Sequence, residues 1–143
     1  MATLKDLLWD KRLYFVKTGT NVFEVAKFMD SHNIGAVPVL DAENNLKGIF
    51  SERDLMRRCI VKELNLKQTL IEDVMTKEVI FENANETPEH CMQIMKQLNI
   101  RHMPVVEGNN LIGILSIRDL LLYDCKIKEE KIELLNTFIK YSG

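Results

Sequence analysis

Two serine–aspartate pairs, set at matching places in a repeated octapeptide, are the side chains best placed to build a site. Gly48-Ile49-Phe50-Ser51-Glu52-Arg53-Asp54-Leu55 is answered by Gly113-Ile114-Leu115-Ser116-Ile117-Arg118-Asp119-Leu120. In each copy an apolar run ends at a serine, and Ser-x-x-Asp opens a helix as a capping box, which is by itself a full structural explanation of the pair. A helix start also turns free N–H groups and a positive dipole end toward any anion nearby. Arg53 and Arg118 lie in those first turns, and Arg101-His102 adds two phosphate-competent donors beside the apolar Met103-Pro104-Val105. Catalytic chemistry has no comparable footing. His32, His90 and His102 are scattered, and neither HExxH, a nucleophile elbow nor a Walker A loop occurs. The residues point to a binding protein and away from an enzyme.

The elements that must hold these residues are themselves duplicated. Upstream of each octapeptide stands a second matched piece, Ile34 to Val39 and Ile100 to Val105. Asp54 and Asp119 are 119 − 54 = 65 residues apart, and Pro38 and Pro104 are 104 − 38 = 66 apart. The single residue of slack falls in a polar turn, Asp41 to Asn45 against Glu107 to Asn110, where a duplicated fold tolerates it. The first repeat reads as a strand at Tyr14–Val16, a helix from Asn21 to His32, a hairpin of Val37–Leu40 with Leu46–Phe50, and a helix from Ser51 through Leu64. The second repeats this with Val79–Phe81, a helix opened by Thr87-Pro88, a hairpin of Met103–Val106 with Leu111–Leu115, and a helix from Ser116. Amphipathic lead-ins, Leu4–Trp9 and Ile71–Thr76, precede the two. The expected fold is α+β: two β-α-β-β-α repeats packed sheet to sheet about a pseudo-twofold axis, with two clefts at the junction. Residues 1–66 form the first repeat with its lead-in, 67–124 the second, and 125–143 a C-terminal amphipathic helix. Ile132, Leu135, Phe138 and Ile139 stripe that helix, which either folds back or meets a second copy.

Composition narrows the function classes. A chain of 143 residues suits one compact domain, and its net charge of −2 carries no electrostatic footprint for nucleic acid or anionic lipid. Cys59, Cys91 and Cys125 are far apart and odd in number, so inert thiols are expected in place of a redox pair or a metal site. Charges interrupt the N-terminus where a signal peptide needs an apolar stretch, and no run reaches the roughly 18 apolar residues of a membrane span. A soluble cytoplasmic protein is expected.

The paired Pro-Val and Gly-Ile-x-Ser-x-Arg-Asp-Leu motifs resemble tandem cystathionine-β-synthase-type (CBS) domains, from about Leu4 to Tyr123, and in particular small stand-alone CBS-pair proteins. That resemblance implies a flat dimer of two pairs, adenosine-containing ligands and a regulatory, signal-transducing role as an energy or metabolite sensor. It implies that each aspartate accepts the two ribose hydroxyls, a charge-assisted pairing suited to a vicinal diol. The serine then helps to place the ribose-phosphate, and a base ring slots between Ile34, Val37, Ile100 and Met103, with room left by Gly35 and Ala36. Each cleft joins the Asp of one repeat to the pre-proline segment of the other. Site A takes Ser51, Arg53 and Asp54 with Ile100, Arg101, His102 and Met103. Site B takes Ser116, Arg118 and Asp119 with Ile34, Gly35, Ala36 and Val37, and Lys17 and Thr18 nearby. With few cations in reach, AMP or NAD is expected before ATP, with ADP and S-adenosylmethionine also in the ligand class. A homodimer acting on an effector protein in trans completes the expectation. The alternative is a protein-interaction module whose clefts stay empty.

Overall fold

The computed structural model describes the backbone of residues 1–142 and side chains through Ile139. Its elements run α1 (Leu4–Leu8), β1 (Val16–Lys17), α2 (Val22–His32), β2 (Ala36–Leu40), β3 (Leu46–Ser51), α3 (Glu52–Asp54), β4 (Glu82–Asn83), α4 (Pro88–Leu98), β5 (His102–Glu107), β6 (Asn110–Ser116) and α5 (Ile117–Ser142). Two three-stranded sheets result, in orders β1-β2-β3 and β4-β5-β6. In each, a short strand pairs parallel and a hairpin pairs antiparallel. The hairpins match residue for residue: Ala36 faces Ser51 as His102 faces Ser116, and Pro38 faces Ile49 as Pro104 faces Ile114.

The first helix of each repeat follows from its caps. The Asn21 side chain accepts from the Glu24 N–H, and Thr87 accepts from the His90 N–H. Both helices stop on an asparagine in the left-handed region, Asn33 and Asn99, at φ near 53° and 54°. The stripe Val22, Val25 and Met29 packs with Val37, Val39 and Phe50 in one core. Cys91 and Met95 pack with Met103, Val105 and Leu115 in the other. Strand pleating explains the rest. Val37 and Val39 point to the helix side, so Ala36 and Pro38 point the other way, yet all five residues of β2 are buried. A strand covered on both faces requires helices on one side and the opposing sheet on the other, which is the expected sheet-to-sheet packing.

The lead-ins cross between repeats. Leu4 and Leu8 belong to the second repeat's core, and the Leu4 and Lys5 N–H groups donate to Glu86 and Ala84 carbonyls at 2.9 and 3.0 Å. Ile71, Val74 and Met75 belong to the first repeat's core, with the Ile71 N–H on the Thr20 carbonyl at 2.8 Å. The motif glycines make this crossing possible. A Cβ on Gly48 would stand 2.5 Å from Met75 Sδ and 2.8 Å from the Thr76 carbonyl oxygen; one on Gly113 would stand 2.7 Å from Leu8 Cδ2.

Three features depart from the sequence expectation. Strands β1 and β4 begin two or three residues later than Tyr14 and Val79, because Val16 and Ala84 are buried whereas Phe15 and Phe81 are exposed. The helix after Ser51 has α geometry only to Asp54. It continues as a π-helical turn over Leu55–Ile60, with the Val61 N–H on the Met56 carbonyl, and ends with Glu63 at φ 57°. Finally, α5 is one unbroken helix of 26 residues. No glycine or proline interrupts Ile117–Ser142, and Lys128 pairs with Asp124 at 3.0 Å across residue 125. The tail does not fold back. Ile132, Leu135, Phe138 and Ile139 are 58–68% exposed in the single chain.

Candidate functional site

A cavity of about 840 Å³ opens between the two repeats. The first repeat contributes Ile34, Gly35, Ala36 and Pro38, the turn into β2 and its sheet-facing residues. The second contributes Ile114, Ser116, Arg118 and Asp119, the end of β6 and the start of α5. This brings together the Asp119 half and the pre-proline half of site B. The pleat decides which of their neighbours take part. Ala36 faces the cavity, and Val37, one residue on, is turned into the helix-side core and fully buried.

Asp119 closes a capping box: its Oδ2 accepts the Ser116 N–H at 2.7 Å, and Ser116 Oγ accepts the Asp119 N–H at 3.1 Å. Lys11 Nζ lies 2.5 Å from the same Oδ2. Burial pushes the Asp119 carboxyl up, but the Lys11 ammonium and the Ser116 hydrogen bonds outweigh it and hold the acid below its ordinary value. The carboxylate is therefore ionised at neutral pH, as an acceptor for two hydroxyls must be.

Arg101 and His102, assigned from the sequence to the Asp54 cleft, line this same cavity with Asp119. Register is the reason. His102 pairs opposite Ser116 at the head of β5, and the Ile117 N–H donates to the Arg101 carbonyl at 2.8 Å, so both residues flank the start of α5. Burial pushes the His102 imidazolium down, and Glu52 and Asp119 oppose it only in part. Neutral at pH 7, His102 offers a phosphate a hydrogen bond and not a charge.

Asp54 makes the matching capping box with Ser51, at 3.0 and 3.1 Å, but has different company. Thr76 Oγ1 donates to its Oδ2 at 3.5 Å and Arg58 Nε lies 3.6 Å from Oδ1. Neither Ser51, Arg53, Asp54, Ile100 nor Met103 lines the Asp119 cavity. Met103 is fully buried in the second core, and Ile100 packs against it. Lys17 and Thr18 also lie elsewhere, with the Lys17 ammonium on the Asp41 carbonyl at 3.0 Å and on Asn44, and the Thr18 N–H on the Leu40 carbonyl at 2.9 Å.

Sequence reasoning missed the linker Asp10–Tyr14 and Glu52, all of which line the cavity. The adjacent cations Lys11-Arg12, following directly on a lead-in that is echoed before the second repeat, were the available signal. Outside the cleft, His90 Nε2 lies 3.4 Å from Glu82 and 3.7 Å from Glu86. Cys59, Cys91 and Cys125 are free thiols. Burial first, then Glu82 and Glu86, pushes Cys91 up to about 12, which leaves it unreactive. Among the described residues no helix is long and apolar enough to cross a membrane.

With this geometry in place, comparison with known proteins is direct. The CBS domain family model matches residues 3–60 and again 71–125. The CBS domain-containing protein YhcV of Bacillus subtilis is 34% identical over 120 residues, covering 84% of each chain. The crystal structure of the CBS-domain containing protein ATU1752 from Agrobacterium tumefaciens superposes with a TM-score of 0.80 at 35% identity, over 86% of this chain and 99% of that one. The CBS domain pair of protein MJ0100, solved in complex with 5′-methylthioadenosine and S-adenosyl-L-methionine, superposes with a TM-score of 0.76 at 27% identity, over 88% of this chain and 98% of that one. The two family-model matches, which span most of the two repeats and their capping boxes, show that the chain belongs to the CBS domain family, as a tandem pair.

Proposed function

We propose that the protein is a non-catalytic regulatory module that binds an adenosine-containing ligand in the Asp119 cleft, AMP or NAD in preference to ATP. The observation that carries this reading is the ionised Asp119 at the wall of an 840 Å³ cavity, opposite the small Gly35 and Ala36. A ribose diol meets a two-oxygen acceptor there, and a base ring enters beside Ile34 with backbone groups to read its edge. Lys11, Arg12, Arg101 and Arg118 stand along the same cavity, against Asp10, Glu52 and Asp119, a near balance that suits one or two phosphates better than three. The adenosine ligands of the MJ0100 pair support the class. Calorimetry and thermal shift with AMP, ADP, ATP, NAD and S-adenosylmethionine test it. Micromolar binding of AMP or NAD is expected, and neither heat nor shift with any of the five overturns the reading.

The module works as a homodimer in the cytoplasm, signalling to an effector in trans. Met56, Ile60 and Val61 in the first repeat and Leu121 and Leu122 on α5 are large apolar side chains left exposed in a single chain, and the tail adds Ile132, Leu134, Leu135, Phe138 and Ile139. Covering them is worth roughly 1.5–3 kcal/mol for each side chain fully buried, before entropy losses.

A further inference from the structure

Lys11 occupies the one group on which the ligand reading depends. Its Nζ is 2.5 Å from Asp119 Oδ2, the oxygen that also accepts the Ser116 N–H. The lysine's backbone is fixed there by packing: its N–H donates to the Leu8 carbonyl at 3.0 Å, and Leu8 itself is seated against Gly113, where an added Cβ would stand 2.7 Å from Leu8 Cδ2. The ammonium stands on a flexible four-carbon stem with three rotatable donors, so it can swing within the cavity while its Cα stays in place. A vicinal diol approaching Asp119 meets a competing donor. A diol that takes both oxygens of Asp119 therefore breaks the Lys11–Asp119 pair, and a ligand carrying its own anion gives the released ammonium a new partner within the cavity.

We propose that Lys11 is a specificity-determining residue of the Asp119 cleft: it competes with ligand hydroxyls for Asp119 and, once displaced, pairs with the ligand's phosphate, so the cleft selects phosphate-bearing nucleosides over neutral or cationic ones. This rests on the reading of Asp119 as a ribose acceptor. It also predicts a selectivity unlike that of the MJ0100 pair, whose ligands are a thioether and a sulfonium.

Two probes isolate the effect. AMP and 5′-methylthioadenosine share an adenosine and differ at the 5′ position, phosphate against thioether. In wild-type protein AMP binds at least about tenfold more tightly. In Lys11→Met the thioether tightens about two- to fivefold, the fold-change equivalent of relieving one partly exposed ion pair, while AMP shifts less because the lost phosphate contact offsets the relief. Lys11→Arg keeps the wild-type ratio. Titration of the Asp119 carboxyl by NMR, without ligand, supplies a readout independent of binding: Lys11→Met raises its pKa. An unchanged ratio of the two affinities in Lys11→Met, or an unchanged Asp119 titration, overturns the proposal. If AMP binds and the ratio does not move, only the role of Lys11 fails. If neither nucleoside binds either protein, the adenosine reading fails and this inference with it.

Discussion

The two motif glycines sit at pseudo-equivalent positions, so replacing each with alanine tests whether the lead-in crossing sets their cost. At Gly48 the added methyl meets Met75 Sδ at 2.5 Å and Cγ at 2.8 Å, and also the Thr76 carbonyl oxygen at 2.8 Å. Met75 could rotate away, but the Thr76 backbone cannot. It is held to Ile49 by two hydrogen bonds, 3.0 and 2.9 Å, beside the substituted residue. Overpacking of this kind costs about 1–3 kcal/mol, and loosening that bridge adds to it, so Gly48→Ala is placed at about 2–3 kcal/mol. At Gly113 the methyl meets only Leu8, whose Cδ2 at 2.7 Å and Cδ1 at 3.0 Å are the ends of a flexible side chain. Rotation of Leu8 relieves most of the clash, and alanine also restricts the unfolded chain, which recovers about 0.4–1 kcal/mol. Gly113→Ala therefore falls within about 1 kcal/mol of wild type. For 143 residues, 1 kcal/mol corresponds to roughly 3 °C in Tm, giving losses of roughly 6–9 °C at Gly48 and no more than about 3 °C at Gly113. Urea denaturation at constant m-value, with calorimetric Tm, reads both. A Gly113→Ala loss equal to or above that of Gly48→Ala would refute the reasoning, since it would mean that the identity of the facing atom does not matter.

Asp119→Ala weakens nucleotide binding about ten- to a hundredfold, the loss of a charge-assisted pairing of about 1.5–3 kcal/mol, whereas Asp54→Ala, off the cavity, changes binding there less than threefold by calorimetry. The depressed Asp119 acid contributes stability that is fully present above its unfolded value of 3.8 and is lost as pH falls below it; acid titration of Asp119→Asn followed by circular dichroism shows a shallower decline. His102 is depressed from 6.5, so the unfolded chain takes up that proton first and stability declines as pH falls through 6.5, a slope that His102→Gln removes in melts at pH 7.5 and 5.5. Truncation after Tyr123 removes Ile132, Leu135, Phe138 and Ile139, and light scattering at low concentration then finds a weaker dimer; an unchanged dimer takes the tail out of the interface.

What the residues determined alone is whatever is local or repeated. The duplication lies in matched strings, and the capping boxes at Ser51/Asp54 and Ser116/Asp119 involve groups three residues apart, so their hydrogen bonds follow from sequence spacing. The helix of α2 and the hairpin β2–β3 were legible for the same reason, each carrying its own periodicity and turn chemistry. Tertiary structure alone decided the rest. Asp54 and Asp119 are indistinguishable in their octapeptides, yet one is met by Thr76 and Arg58 and the other by Lys11 beside an open cavity. Arg58 is one helical turn from Asp54, but Thr76 and Lys11 arrive at or just beyond the end of a lead-in that crosses to the opposite repeat, 22 residues from Asp54 for Thr76 and 119 − 11 = 108 residues from Asp119 for Lys11. Arg101 and His102 join Asp119 through the antiparallel register of β5 on β6, and Val37 and Met103 leave the cleft because a strand turns successive side chains to opposite faces. A contact between distant segments depends on how sheets pack and which way a pleat faces, and neither is encoded in the spacing of a motif.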